Sequence, residues 1–165
     1  MIRHILVMSC ALAMPSGVWA DPSSVQVEPP QLQGSRPLEK QTESAVIRDY
    51  LRSWQSFRGA LDQNQADLLD ADFVGTARDK LAETIGEQAK IGIHTRYQDR
   101  AHDLQIVFYS PEGLSVQLID TVEYDEQVLD HDKVLATERV RARYLVVLTP
   151  AEVRWKVRIF QAEAE

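Results

Sequence analysis

The apolar residues change their period at Gly92, and that switch constrains the fold more than any motif in the chain. Before it, Val46, Tyr50, Leu51, Trp54, Phe57 and Leu61 recur at threes and fours, the spacing of one buried helix face. After it they alternate, as on strands with one buried face. The spacing predicts a first helix over 38–62, with Ser35, Pro37 and Glu39 suited to its start. A short second helix is expected in "ADLLDADF". A third, "ARDKLAETIGEQAKIG", would be capped by Thr76 and stopped by Gly92. Strands are expected near 93–99, 102–110, 114–129, 133–149 and 153–161. The connectors "PEG", "DHD" and "TPAE" are short and turn-rich, so neighbouring strands should pair antiparallel. Helices followed by an antiparallel sheet make this an α+β chain.

Side-chain parity sets the expected registers, because a slip of one residue turns every side chain over. In the fourth strand Val134, Ala136, Val140, Ala142, Tyr144, Val146 and Leu148 share a face, while Arg139, Arg141 and Arg143 share the other. Matching apolar faces across "DHD" needs an odd-length loop and sets Glu123 opposite Arg139 or Arg141. An even-length "TPAE" loop would place Val146 against Trp155 and Tyr144 against Val157. An odd-length "PEG" loop brings Leu104, Ile106 and Phe108 onto the Val116–Leu118 face. One inner face is then common to four strands.

The stretch "AVIRDYLRSWQSFRGALDQNQADLLDADFVGTARDKL" resembles the opening of NTF2-like (SnoaL-like) domains, and "YLVVLTPAEVRWKVRIF" is similar to their closing hairpin. The likeness spans about 45–160. It implies a cone in which three N-terminal helices pack on a strongly curved antiparallel sheet, with a pocket between the concave face and the helices. Tyr50, Trp54, Glu138 and Trp155 would line that pocket. Members include isomerases, dehydratases and epoxide hydrolases, ligand-binding modules and secretion scaffolds, and no family-wide catalytic motif carries over. Fold and chemistry separate easily, so the likeness bears on the fold first.

Polar residues on the inner face are the candidates for chemistry. Asp120 interrupts "VQLIDTVEYDEQVL" on its apolar side, and His102, Tyr124, Glu126 and Glu138 share that side. The registers set His102 opposite or diagonal to Asp120. Asp120 could then orient His102 as a general base, or act itself, with Tyr124 donating to a developing oxyanion. Buried acids and imidazoles also occur simply as satisfied pairs, and both readings stay open. No cofactor is expected, and no metal: His94, His102 and His131 are scattered, and "DHDK" lacks the further acids of a calcium loop.

On the opposite face Ile119, Leu135, Leu145, Val147 and Phe160 interrupt the charges. Apolar groups bordered by charge mark association surfaces, and NTF2-like domains pair through this face, so a homodimer or protein partner is expected there. The net charge of −7 supplies no basic footprint for nucleic acid. At the N-terminus, Arg3, the apolar "ILVMSCALAM" and "VWA" follow the grammar of a signal peptide cut after Ala20. A retained anchor, or lipidation at Cys10, fits that short, broken apolar run less well. Cys10 is the only cysteine and would leave with the leader. Residues 21–36, rich in proline, read as an extended tether, disordered or lightly docked. The expected organisation is thus a leader over 1–20, a flexible linker over 21–36 and one domain over 37–165. Its expected address is the bacterial periplasm or beyond, with no membrane span in the mature chain. Binding of a small ligand or partner without catalysis is the first expectation. A cofactor-independent lyase, isomerase or hydrolase is the second.

Overall fold

The computed structural model describes residues 23–34 and 36–163; the expected leader lies outside them. The elements run β1 (Ser24–Val27), α1 (Lys40–Gln63), a single 3-10 turn (Ala66–Leu69), α2 (Gly75–Lys90), β2 (His94–Tyr109), β3 (Val116–Asp130), β4 (Lys133–Pro150) and β5 (Trp155–Glu163). One sheet holds all five strands in the order β1-β2-β3-β4-β5, antiparallel except for the parallel β1–β2 pair. The helices pack on one side of it, α1 against β2 and β5 and α2 against β5. The expected second helix is therefore only one turn long. The tether is docked: Ser24–Val27 pair with Ala101–Leu104, and Gln31 and Gln33 donate backbone bonds to Ile106 and Val107.

Local chemistry accounts for the helix boundaries. α1 buries Val46, Tyr50, Trp54, Phe57 and Leu61, the stripe that the spacing marks. It stops at Asn64, which takes a left-handed conformation (φ 53°) that asparagine tolerates. α2 ends in a Schellman motif, with Gly92 N–H donating to Ala89 and Ile93 N–H to Gln88. The φ of 75° at Gly92 is the conformation for which glycine is needed. Thr76 does not cap α2: Val74 holds that position, with no side-chain bond. The neighbouring backbone is instead tied to β5, Val74 N–H to Val157 and Val157 N–H to Asp72.

Bulges, each one extra residue, explain where the registers depart from simple alternation. β2 is one long strand in place of the two expected, with a shift between Asp99 and Ala101 and another between Ile106 and Phe108. The second places Phe108 opposite Gln117 and gives the inner position to Tyr109. A two-residue turn joins β3 to β4, and a shift at Val128/Leu129 restores the expected parity, so Glu123 does face Arg141. Between β4 and β5 the expected register is wrong. Val157 lies opposite Leu148 and Phe160 opposite Val146, with a shift at Val147/Leu148. That shift turns Phe160 inward and Ile159 outward.

The concave side is packed with rings. Trp54, 1% exposed, meets Phe57, Tyr97, Tyr124, Tyr144 and Phe160 at centroid distances of 5.6–6.3 Å. Tyr97 stacks on Tyr124 at 4.3 Å, and Tyr144 on Phe160 at 4.6 Å. Most of these are tilted or edge-on contacts, which add to the stabilisation from burial. The interior of the cone between α1 and the sheet is thus a filled core.

Candidate functional site

Tyr50, Trp54 and Arg58 follow one another at four-residue steps along α1, so they share a stripe. It faces the first bulge of β2. Asp99 and His102 differ by three positions and would point to opposite faces of a regular strand. The extra residue at Arg100 brings both to the inner side. Asp120 stands on β3 opposite Leu104, two pairs from the His102–Val122 pair and so on the same face.

These side chains close a ring of contacts. The Tyr50 hydroxyl donates to Asp120 Oδ2 at 2.6 Å, and His102 Nδ1 meets the same oxygen at 2.8 Å. On the other side, His102 Nε2 faces Asp99 Oδ2 at 3.8 Å. Asp99 returns the ring to α1: Trp54 Nε1 donates to its Oδ1 at 2.9 Å, and Arg58 pairs with its Oδ2 at 2.9 Å. Asp120 is fully buried and His102 is 2% exposed. Asp120 Oδ1 has no hydrogen-bond partner among the described residues.

The electrostatics follow from this enclosure. Burial works against a charged His102, but its hydrogen bonds to Asp120 and Asp99, with their negative charge, outweigh burial and push the imidazole up to about 9. At neutral pH His102 is therefore held as an imidazolium that donates from Nδ1 to Asp120 and turns Nε2 toward Asp99. Burial first, and then the Asp120 charge, raise the Tyr50 phenol well above its ordinary value, which keeps its proton on the bond to Asp120.

A groove of about 300 Å³ lies beside this ring, walled by Leu51, Trp54, Gln55 and Arg58 of α1, by Tyr97, Asp99 and His102 of β2, and by Ser23 and Val25 of the arm. A second hollow of about 310 Å³ shares Gln55, Arg58 and Tyr97 and adds Asp62 and Arg96. Among the described residues no group of three or more His, Cys, Asp or Glu is placed to hold a metal ion, and no helix is long and apolar enough to cross a membrane.

Of the residues singled out from sequence, the structure brings Asp120, His102, Tyr50 and Trp54 together. It sets Tyr124 apart: its hydroxyl is 3.5 Å from that of Tyr144, and the donor to Asp120 is Tyr50. Glu138 is exposed and opposite Glu126 near the free end of the sheet, outside the groove. Trp155 is also outside it, at the start of β5, where its backbone N–H donates to the buried Asp49 at 2.9 Å. Phe160, expected outside, is a core ring. Ile119 is only 9% exposed, Leu145 and Val147 are half-buried, and Leu135 is exposed. Sequence reasoning missed Arg58 and Asp99. The signal for Asp99 is present, since the inner set is odd at Tyr97 and Asp99 and even from His102 to Ile106, a change of phase that one extra residue produces.

No family profile matches the sequence, and no curated protein matches it. Solved structures do. The intermembrane space region of the chloroplast protein ARC6 superposes with a TM-score of 0.62 at 15% identity, over 79% of this chain and all of that one. The chain has the NTF2-like fold. A protein assigned as a scytalone dehydratase from Novosphingobium aromaticivorans gives 0.53 at 16% identity, over 76% of this chain and 89% of its own. Aln2 from a Streptomyces species gives 0.52 at 14% identity, over 78% and 93%. At these identities the NTF2-like likeness concerns architecture, and function rests on the site itself.

Proposed function

We propose that this chain is an exported, non-catalytic NTF2-like domain whose groove between α1 and β2 takes a small ligand, and whose outer sheet face takes a protein partner or a second copy. The observation that carries the non-catalytic part is the enclosure of His102 between two carboxylates. A general base needs a neutral imidazole with a nitrogen open to the substrate. Here Nδ1 is bonded to Asp120, Nε2 faces Asp99, and the ring holds its proton up to about 9. The Asp120–His102 pair, through the Tyr50 hydroxyl on Asp120, then serves to fasten α1 to the sheet. Export rests on the leader sequence, and an intact mass beginning at Asp21 for the periplasmic protein is its check.

One observation favours a second reading: His102 borders the groove, and an imidazolium backed by Asp120 is a competent general acid. A cofactor-independent lyase, isomerase or hydrolase would use it so, and one structural neighbour is assigned as a dehydratase. A fragment screen on the whole protein separates the two. The binding reading expects ligands that quench Trp54 fluorescence and shift the His102 resonances, with no turnover. A hydrolysis, dehydration or isomerisation that falls at least a hundredfold in a folded His102→Gln variant would overturn it.

A further inference from the structure

The longest open sheet edge among the described residues is the first half of β4. β5 pairs with β4 only from Arg143 to Pro150, so Lys133–Ala142 bond to β3 on one side and, among the described residues, to nothing on the other. This edge is about 30 Å long at the usual rise per residue. Residues 133–139 are exposed, including Val134 at 45% and Leu135 at 51%. Open edges of this length recruit strands unless something blunts them.

From these contacts we infer that the β4 edge is a docking site for an extended acidic segment of a partner protein, added as an antiparallel strand in line with β5. The chain displays the recognition rule on its own last strand. Arg139, Arg141 and Arg143 stand at every second position of one face. The Arg143 rung is taken from the β5 side by Glu163, at 2.9 Å. The next two rungs lie beyond the described end of β5. They are 66% and 68% exposed, and each makes one longer contact to β3, 3.3 Å to Asp125 and 3.5 Å to Glu123. A guanidinium has five donors, so both retain the capacity for a carboxylate from the edge side. On the opposite face, where the strand is regular, the edge offers Ala136, Val140 and Ala142, with Glu138 the one charge. An incoming strand therefore needs acids opposite Arg139 and Arg141, small apolar residues between them, and a basic residue opposite Glu138. Main-chain bonds would supply affinity and the alternating side chains specificity.

A second copy of this strand does not fit. Within the regular stretch 136–142, face-preserving antiparallel self-pairing centred on Arg139 sets that residue against itself, and centring on Val140 sets Arg139 against Arg141. Centring on Glu138 sets that residue against itself. Like charges directly opposite destabilise a pair of strands. The site deepens the binding reading above but does not depend on the groove, and its test uses neither Trp54 nor His102.

The probe is a blocked, fluorescently labelled peptide, VEVEKTVT, and its charge-swapped counterpart is VKVKETVT. Fluorescence anisotropy with the whole protein should show the acidic probe binding at least tenfold more tightly. The double variant Arg139→Glu, Arg141→Glu alters two exposed side chains and should reverse the order. Methylating alternate backbone nitrogens of the acidic probe should abolish its binding. Equal affinity for the two probes on the unaltered protein overturns the proposal without recourse to any variant. So does binding indifferent to backbone methylation, or concentration-dependent self-association that the double variant abolishes, which would make a second copy the occupant.

Discussion

His102 carries a charge in a place where burial alone would remove it. Desolvation lowers the pKa of an imidazole, and two carboxylates reverse that outcome here. The consequence for stability has a definite sign. The folded imidazole titrates at about 9 against an ordinary 6.5, so its contribution is complete below about pH 6.5 and is lost as pH rises through about 9. Urea unfolding should therefore show stability falling between pH 6.5 and 9.5. His102→Gln should flatten that fall while lowering stability at pH 6.5 by roughly 3 kcal/mol, because it leaves the buried Asp120 without a counter-charge. A slope unchanged in the variant would assign the pH dependence elsewhere. Asp120 and His102 were legible in the sequence because an acid and an imidazole on an apolar strand face stand out against alternation. Tyr50 was not legible as the partner of Asp120, nor Arg58 as that of Asp99. On α1 an arginine near the end of the apolar stripe looks like a solvated neighbour, and a tyrosine looks like core. Both of those descriptions are accurate, and neither reveals a bond to a carboxylate 41 or 70 residues downstream.

At the level of elements, the ring depends on one inserted residue. Removing Arg100 would restore regular alternation in β2 and send Asp99 to the outer face. Trp54 Nε1 and Arg58 would then lose their acceptor, and His102 one of its two carboxylates. Deleting Arg100 should cost on the order of 3 kcal/mol, the scale for breaking a buried charged pair. Arg100→Ala keeps the extra residue while giving up the side chain's pairing with Asp125, and should cost far less than the deletion. Thermal unfolding of the two proteins side by side makes the comparison, and equal losses would mean that the bulge does not position the ring. Periodicity revealed α1, α2 and β3 to β5 well, because each buries one whole face and the pattern repeats along its length, whereas the bulge split β2 in two. Bulges repeat nowhere. They show only as a change of phase, which is why Phe160 and Phe108 were assigned to the wrong sides and the β4–β5 register was off. The arm was harder still. Four exposed residues of β1 bury no face and so leave no pattern, and their pairing with β2 is made by backbone bonds that any sequence could supply.

At the scale of the molecule, the helices cover one face of the sheet, and among the described residues no element packs against the other. Ile119, Leu145, Val147 and the newly outward Ile159 form its apolar part, next to the ladder of Arg141 with Glu123 and Arg143 with Glu163. If this face pairs two copies, Leu145→Glu should convert a sedimenting dimer to a monomer with little change in unfolding midpoint, since Leu145 is only half-buried in the single chain. A monomer at all concentrations before substitution would exclude the pairing. The arm also bears on how the groove comes into being. Ser23 and Val25 form part of its wall, and Ser24 bonds Arg100 across a separation of 76 residues. A chain made and delivered from its N-terminus presents this part of the wall long before the strand that receives it exists. The groove is then completed only when β2 arrives, and the earliest residues of the domain are among the last to find their place.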